Sequence, residues 1–168
     1  KRISTKITAK NPILVGLSFG GMLAIEIAKI IETKQIILLA SAKGRHELPK
    51  LYRLAGRLKI NKLVPSPLLK FHCFLSDYFF GIRNKEDSRL LKQILYDTDP
   101  IFMNWAIHQI LQWKNNSVPD NLIHIHGSRD HIIPIKNVKP NFIIRGAGHF
   151  MTVTHAQEVE KLLQEICL

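Results

Sequence analysis

The sequence predicts an α/β fold, a mostly parallel sheet of about four strands with a helical segment inserted into it. Two short, continuous apolar runs, at 12–16 and 35–40, read as strands buried on both faces, as parallel strands are, and strand character returns at 122–126 and 141–145. Between the first two lies an apolar stretch of helical length, 19–32, which makes a strand–helix–strand unit. From 41 to 118 no strand signal occurs, and apolar residues recur at helical spacing instead.

Taken in order, Ile13-Leu14-Val15 runs directly into Gly16-Leu17-Ser18-Phe19-Gly20-Gly21 and the apolar run from Met22 to Ile31. The helix over 19–32 is apolar almost all round, with Glu26 and Lys29 marking one polar stripe, and is expected to be largely buried. In the inserted segment, helical spacing at 49–58, 67–80, 87–96 and 100–113 predicts three or four helices, punctuated by Pro65-Ser66-Pro67 and Gly81. Asp99-Pro100 reads as an N-cap followed by proline at the first helical position. The aromatics Phe71, Phe74, Tyr78, Phe79, Phe80, Trp105 and Trp113 are expected to form the core of these helices. Strand character returns before two glycine-containing turns, and a final helix is predicted from Thr154. There, Thr154 and Gln157 form a capping-box pattern, and Ala156, Val159, Leu162, Leu163 and Ile166 share one face. No repeat or linker interrupts the chain, so 1–168 reads as a single domain carrying 41–118 as an insertion.

A chain of 168 residues with 46% apolar content is long and apolar enough to fold around a core, which excludes disorder. Glu26, Lys29, Glu32 and Asp77 break every apolar run short of a membrane span. Cys73 and Cys167 form neither a CxxC pair nor a disulfide framework. They read as buried thiols in a reducing compartment, which favours the cytoplasm. The net charge is +11 and unevenly placed. Lys43, Arg45, Lys50, Arg53, Arg57, Lys59, Lys62 and Lys70 face a single acid, Glu47, in the stretch from Lys43 to Lys70. This run reads as a solvated helix face, or as a dock for an acidic partner such as an acyl carrier protein or the phosphates of a coenzyme A ester. It lacks the interleaved aromatics and groove-reading motifs of nucleic-acid binders.

A strand, sharp turn and helix with serine at the apex is the arrangement that makes a hydroxyl nucleophilic. Gly16 and Gly20, two residues either side of Ser18, are expected to let the two backbones approach. The serine needs a base for its proton and an acid to orient that base. Asp130 closes His126-Gly127-Ser128-Arg129-Asp130 after one strand, and His149 ends Gly146-Ala147-Gly148-His149 after the next. Both are placed where parallel sheets build their sites. Simpler roles exist for each: helix N-cap for Ser18, turn former for Asp130, satisfied loop histidine for His149. A metal set of His124, His126, Asp130 and His131 has the spacing HxHxxxDH, two residues longer than the HxHxDH of metallo-β-lactamase-like hydrolases. No metal is expected, and His126 reads as a strand-end residue of the acid turn.

These motifs, in the order serine, aspartate, histidine, resemble those of the α/β-hydrolase superfamily, specifically small bacterial serine esterases with a helical lid. The resemblance covers nearly the whole chain and places 41–118 where that family carries its lid. It implies that Ser18 attacks a carbonyl carbon of a small acyl substrate, His149 takes the proton, Asp130 orients His149, and water resolves an acyl-enzyme, without a cofactor. It implies one oxyanion donor, the Phe19 backbone N–H. The second donor comes in that family from a glycine-rich loop after the third strand, which has no counterpart here. The chain is therefore expected to be N-terminally truncated, lacking the first strands, with Ile13-Leu14-Val15 as an exposed apolar edge and with weak folding and catalysis. A carbon–carbon lyase on the same fold and a catalytically silent binding protein remain open. A haloalkane dehalogenase would need aspartate in place of Ser18.

Overall fold

The computed structural model describes residues 2–58 and 74–167. Four strands, β1 (Ile13–Leu17), β2 (Gln35–Leu39), β3 (Leu122–Gly127) and β4 (Phe142–Ile144), pair in chain order, all parallel. Val15 lies opposite Ile37, Leu38 opposite His124, and His126 opposite Ile143, so the C-terminal ends of the strands share one edge of the sheet. β2 is central, and Ile36, Ile37 and Leu38 have no exposed surface, which is why its apolar run is continuous rather than alternating. β1 pairs with β2 alone among the described residues, and its Val15 and Leu17 are 48% and 40% exposed.

Helix α1 (Phe19–Ala28) buries Ala24 and Ile25 against the sheet and Met22 beside Leu48 and Ile133, the burial its composition predicts. It ends before the predicted Glu32. The chain must turn back to start β2 beside Ile13, and the Ile30 and Ile31 amides close that turn on the Ile27 carbonyl. Between β2 and β3 come α2 (Lys50–Arg57), α3 (Phe74–Phe80), α4 (Lys85–Asp97) and α5 (Pro100–Gln112). Asp99 caps α5 as predicted, its Oδ1 accepting from the Phe102 amide at 2.8 Å. Asn84 caps α4 in the same way. The first part of the predicted 67–80 helix, with Pro65-Ser66-Pro67, Phe71 and Cys73, lies outside the described residues, as do Lys59, Lys62 and Lys70.

Two expectations for this segment change. Tyr78, Phe79 and Trp105 are 53%, 44% and 46% exposed and so do not form a buried helix core. Trp113 instead ties the segment to α1, its Nε1–H donating to Glu26 Oε1 at 2.8 Å. Nor is the basic run uniformly a solvated or docking face. Lys43 Nζ donates to the Lys139 carbonyl at 2.7 Å beside the buried Glu47, and Arg45 donates to the Trp113 carbonyl. Lys50 and Arg57 are exposed.

The last helical stretch is two helices, α6 (Met151–Thr154) and α7 (Ala156–Cys167), broken at His155. Thr154 therefore ends a helix rather than opening one. Its Oγ1 is engaged with the Phe150 carbonyl and His155 Nδ1, not with a capping box. Ala156 is exposed, whereas Val159, Leu162, Leu163 and Ile166 pack on a core of Ile37, Leu39 and Ile125. Cys167 is a half-buried free thiol at the end of that face. No helix among the described residues is long and apolar enough to cross a membrane.

Candidate active site

Ser18 stands between β1 and α1 at φ 50°, ψ −117°, in the left-handed region that non-glycine residues rarely occupy. Its backbone is held on three sides. The Ser18 amide donates to the Leu39 carbonyl at 2.9 Å, and its own carbonyl accepts from the Gly21 amide at 3.0 Å and from Ser41 Oγ at 2.6 Å. Its side chain makes no capping bond to α1, so the N-cap role is not the one it fills.

The glycine pattern differs from expectation in one respect. A Cβ at Gly16 would overlap the Gly20 backbone, and one at Gly21 would come within 2.5 Å of Ser41 Oγ, but one at Gly20 would meet nothing within 4 Å. Gly16 and Gly21 are the sterically required pair, and Gly20 contributes the backbone on which Gly16 rests. Ser41 is the residue that sequence reasoning missed. It is fully buried just after β2, behind Ala40 at φ 44°, and nothing in its local sequence marks it.

Asp130 and His149 reach Ser18 from the loops after β3 and β4. Asp130 Oδ1 accepts from the Ile132 and Ile133 amides, each at 2.8 Å, and Oδ2 faces His149 Nδ1 at 2.7 Å. Turn former and partner of the histidine are thus roles of its two different oxygens. A carboxylate only accepts, so Nδ1 carries a proton, and Nε2 faces Ser18 Oγ at 2.9 Å. Asp130 is 2% and His149 5% exposed.

The two loops are sewn together. The Arg129 amide bonds the Ala147 carbonyl, and the Gly146 amide bonds Ser128 Oγ. On the other side, Gly81 at φ 74° ends α3 against Gly148, where an added Cβ would come within 2.6 Å of the Gly148 Cα. The Phe80 ring meets the His149 ring edge-on at 5.7 Å. Phe19 opens α1 beside Ser18, so its amide has no carbonyl one turn earlier within the helix and lies at the positive end of the helix dipole.

Behind Asp130 lies a buried pair not anticipated from the sequence. His126 is the penultimate residue of β3, at the strand end as expected, and its Nε2 lies 2.8 Å from the Ile133 carbonyl and 3.5 Å from Asp130 Oδ2. A carbonyl only accepts, so Nε2 is protonated. His126 Nδ1 then accepts from His124 Nε2–H at 3.1 Å, which leaves His124 Nδ1 as a buried lone pair without a hydrogen-bond partner among the described residues. Burial, then the neighbouring His126 and Lys43, lowers the His124 pKa to about 3. Burial also lowers that of His126, against the pull of Asp130. His131 turns elsewhere, to the Tyr78 carbonyl at 2.9 Å, and among the described residues no group of three or more histidine, cysteine or acidic side chains is placed to hold a metal ion.

Ser18 also lines a cavity of about 220 Å³ together with Met22, Leu48, Tyr52 and Ile107. Burial and the nearby Asp130 raise the Tyr52 pKa, which keeps it a neutral phenol.

No protein-family model matches the chain, and no curated protein sequence matches it. Solved structures do. A bromoperoxidase from Bacillus anthracis matches over 99% of this chain and 70% of its own, with TM-score 0.63 and 16% identity. An esterase from Exiguobacterium antarcticum, EaEST, matches over the same shares with TM-score 0.65 and 15% identity. A lipase-esterase related protein from Clostridium acetobutylicum matches over 98% of this chain and 72% of its own, with TM-score 0.64 and 17% identity. The chain has the α/β-hydrolase fold.

Proposed function

We propose that this chain carries the catalytic serine, acid and base of a cytoplasmic serine hydrolase that cleaves a carboxylic ester or thioester through an acyl-enzyme. One observation carries the reading: a continuous hydrogen-bonded chain from Ser18 Oγ through His149 to Asp130, with Ser18 held at positive φ. In this mechanism His149 Nε2 accepts the hydroxyl proton as Oγ attacks the acyl carbon, then returns it to the leaving oxygen or sulfur. Asp130 keeps Nδ1 protonated and stabilises the imidazolium. The Phe19 amide donates to the tetrahedral oxyanion. Water, deprotonated by His149, releases the acid. The segment 41–118 acts as the lid, and similarity of fold to esterases and a lipase-related protein agrees with hydrolysis.

The test is labelling of Ser18 by a fluorophosphonate, followed by turnover of p-nitrophenyl esters. Ser18→Ala is expected to abolish labelling and to lower turnover by on the order of 10⁶-fold, the loss typical of triad enzymes. Absence of labelling sinks the reading in favour of a silent binding protein. Labelling without turnover of any ester favours a lyase. Should the substrate be a carrier-protein or coenzyme A thioester, Lys50, Arg53 and Arg57 are the described basic residues available to dock it, since Lys43 and Arg45 are engaged in the fold.

A further inference from the structure

We infer that the cavity beside Ser18 is an acyl pocket for straight aliphatic chains of about six to eight carbons, a specificity that rests on reading Ser18 as the nucleophile. The lining is Met22 from α1, Leu48 and Tyr52 around α2, Ile107, Ile110 and Leu111 from α5, and Ile132 and Ile133 from the loop after β3. Among the described residues that line it none carries a charged side chain, and apart from Ser18 itself their one polar side chain is the neutral Tyr52 hydroxyl. Such a wall gains by desolvating an apolar chain and penalises a charged or strongly polar acyl group.

The wall is also rigid. Met22, Leu48 and Ile133 are 3%, 2% and 2% exposed, so they belong to the packed core rather than to its surface. Ile107, Ile110 and Leu111 stand at i, i+3 and i+4 and form one face of α5. That helix is pinned to α2 by Gln112 Nε2–H donating to the Gly56 carbonyl at 2.6 Å, and the Trp113 bond to Glu26 just beyond it pins the chain to α1.

Volume sets the chain length. At about 30 Å³ per water, the cavity has room for about seven waters. A methylene occupies a similar space, so a hexanoyl or octanoyl group fills it. An acetyl group leaves most of it empty, and a dodecanoyl group must project. Each methylene that enters is worth up to about fourfold in kcat/KM.

The test runs on the whole protein with two readouts. One is kcat/KM for p-nitrophenyl esters from acetate to dodecanoate, with benzoate as the aromatic comparison. The other is the rate of Ser18 labelling by p-nitrophenyl alkylphosphonates of the same chain lengths. Both are expected to rise about 10- to 100-fold from two carbons to six or eight and to fall again at twelve. Ile107→Phe is expected to lower the octanoyl-to-acetyl ratio about tenfold or more, and Ile107→Ala to move the optimum to longer chains, each variant being checked for cooperative melting. A flat profile, an optimum at acetyl, benzoate preferred to hexanoate, or a ratio that neither variant moves overturns the pocket while leaving Ser18 a nucleophile. If no phosphonate labels Ser18, the nucleophile reading itself fails and the pocket with it.

Discussion

At Ser18 the backbone sits in a region that costs on the order of 1–3 kcal/mol, and its neighbours over-determine it through bonds to Leu39, Gly21 and Ser41. The glycines around it are unequal in consequence. Gly20→Ala is expected to change unfolding free energy by less than about 1 kcal/mol, because open space surrounds the new methyl and alanine favours the helix. Gly16→Ala and Gly21→Ala are expected to cost more than about 2 kcal/mol each, by overlap with Gly20 and Ser41. Urea unfolding of the three variants decides this, and equal losses would refute the assignment. A second prediction concerns His124 and His126, both depressed in the fold. Each is neutral when folded and takes up a proton on unfolding, so their contribution is complete above the unfolded value near 6.5. It is lost as pH falls below that value, at up to about 1.4 kcal/mol per pH unit for His124 down to its folded value of about 3, with His126 acting in the same direction. Thermal melts between pH 7 and 4 are expected to show this slope, and His124→Leu to flatten it at the cost of leaving His126 Nδ1 without its donor.

At the scale of elements, helix ends proved to be the sites where local chemistry and tertiary demand meet. Asp99 before Pro100 caps α5 because aspartate, proline and the following apolar run all favour one start, and Asp99→Ala is expected to cost about 1 kcal/mol in denaturant unfolding. Thr154 and Gln157 carry an equally good local signal, yet the helix breaks one residue after Thr154, so that α7 can lay Val159 and Leu163 on β2 and β3. The end of α3 has a functional consequence. Gly81→Ala meets both positive φ and the Gly148 backbone, so it is expected to push Phe80 and the His149 loop apart. Turnover is expected to fall by about tenfold or more while Ser18 labelling slows in parallel. An unaffected kcat would show that α3 does not position His149.

For the whole molecule, β1 is the weak margin. Its exposed Val15 and Leu17 make an apolar strand edge, and the 168-residue chain expressed by itself is expected to self-associate in light scattering, with Val15→Lys reducing the effect. All four strands, the buried character of α1 and the described helices of the inserted segment were legible, because hydrophobic period, caps and turn residues act within a few positions. Ser18, Asp130 and His149 were legible as candidates because each sits in a glycine-marked turn after a strand. Sequence by itself thus determined the order of elements and which side chains are offered at the strand ends. Only the tertiary structure decided that Ser18 and His149, 131 positions apart, share a hydrogen bond, that Ser41 braces Ser18 from 23 positions away, and that His124 and His126 are buried behind Asp130. Contacts between residues so far apart in the chain are set by strand order and packing, which no local pattern encodes.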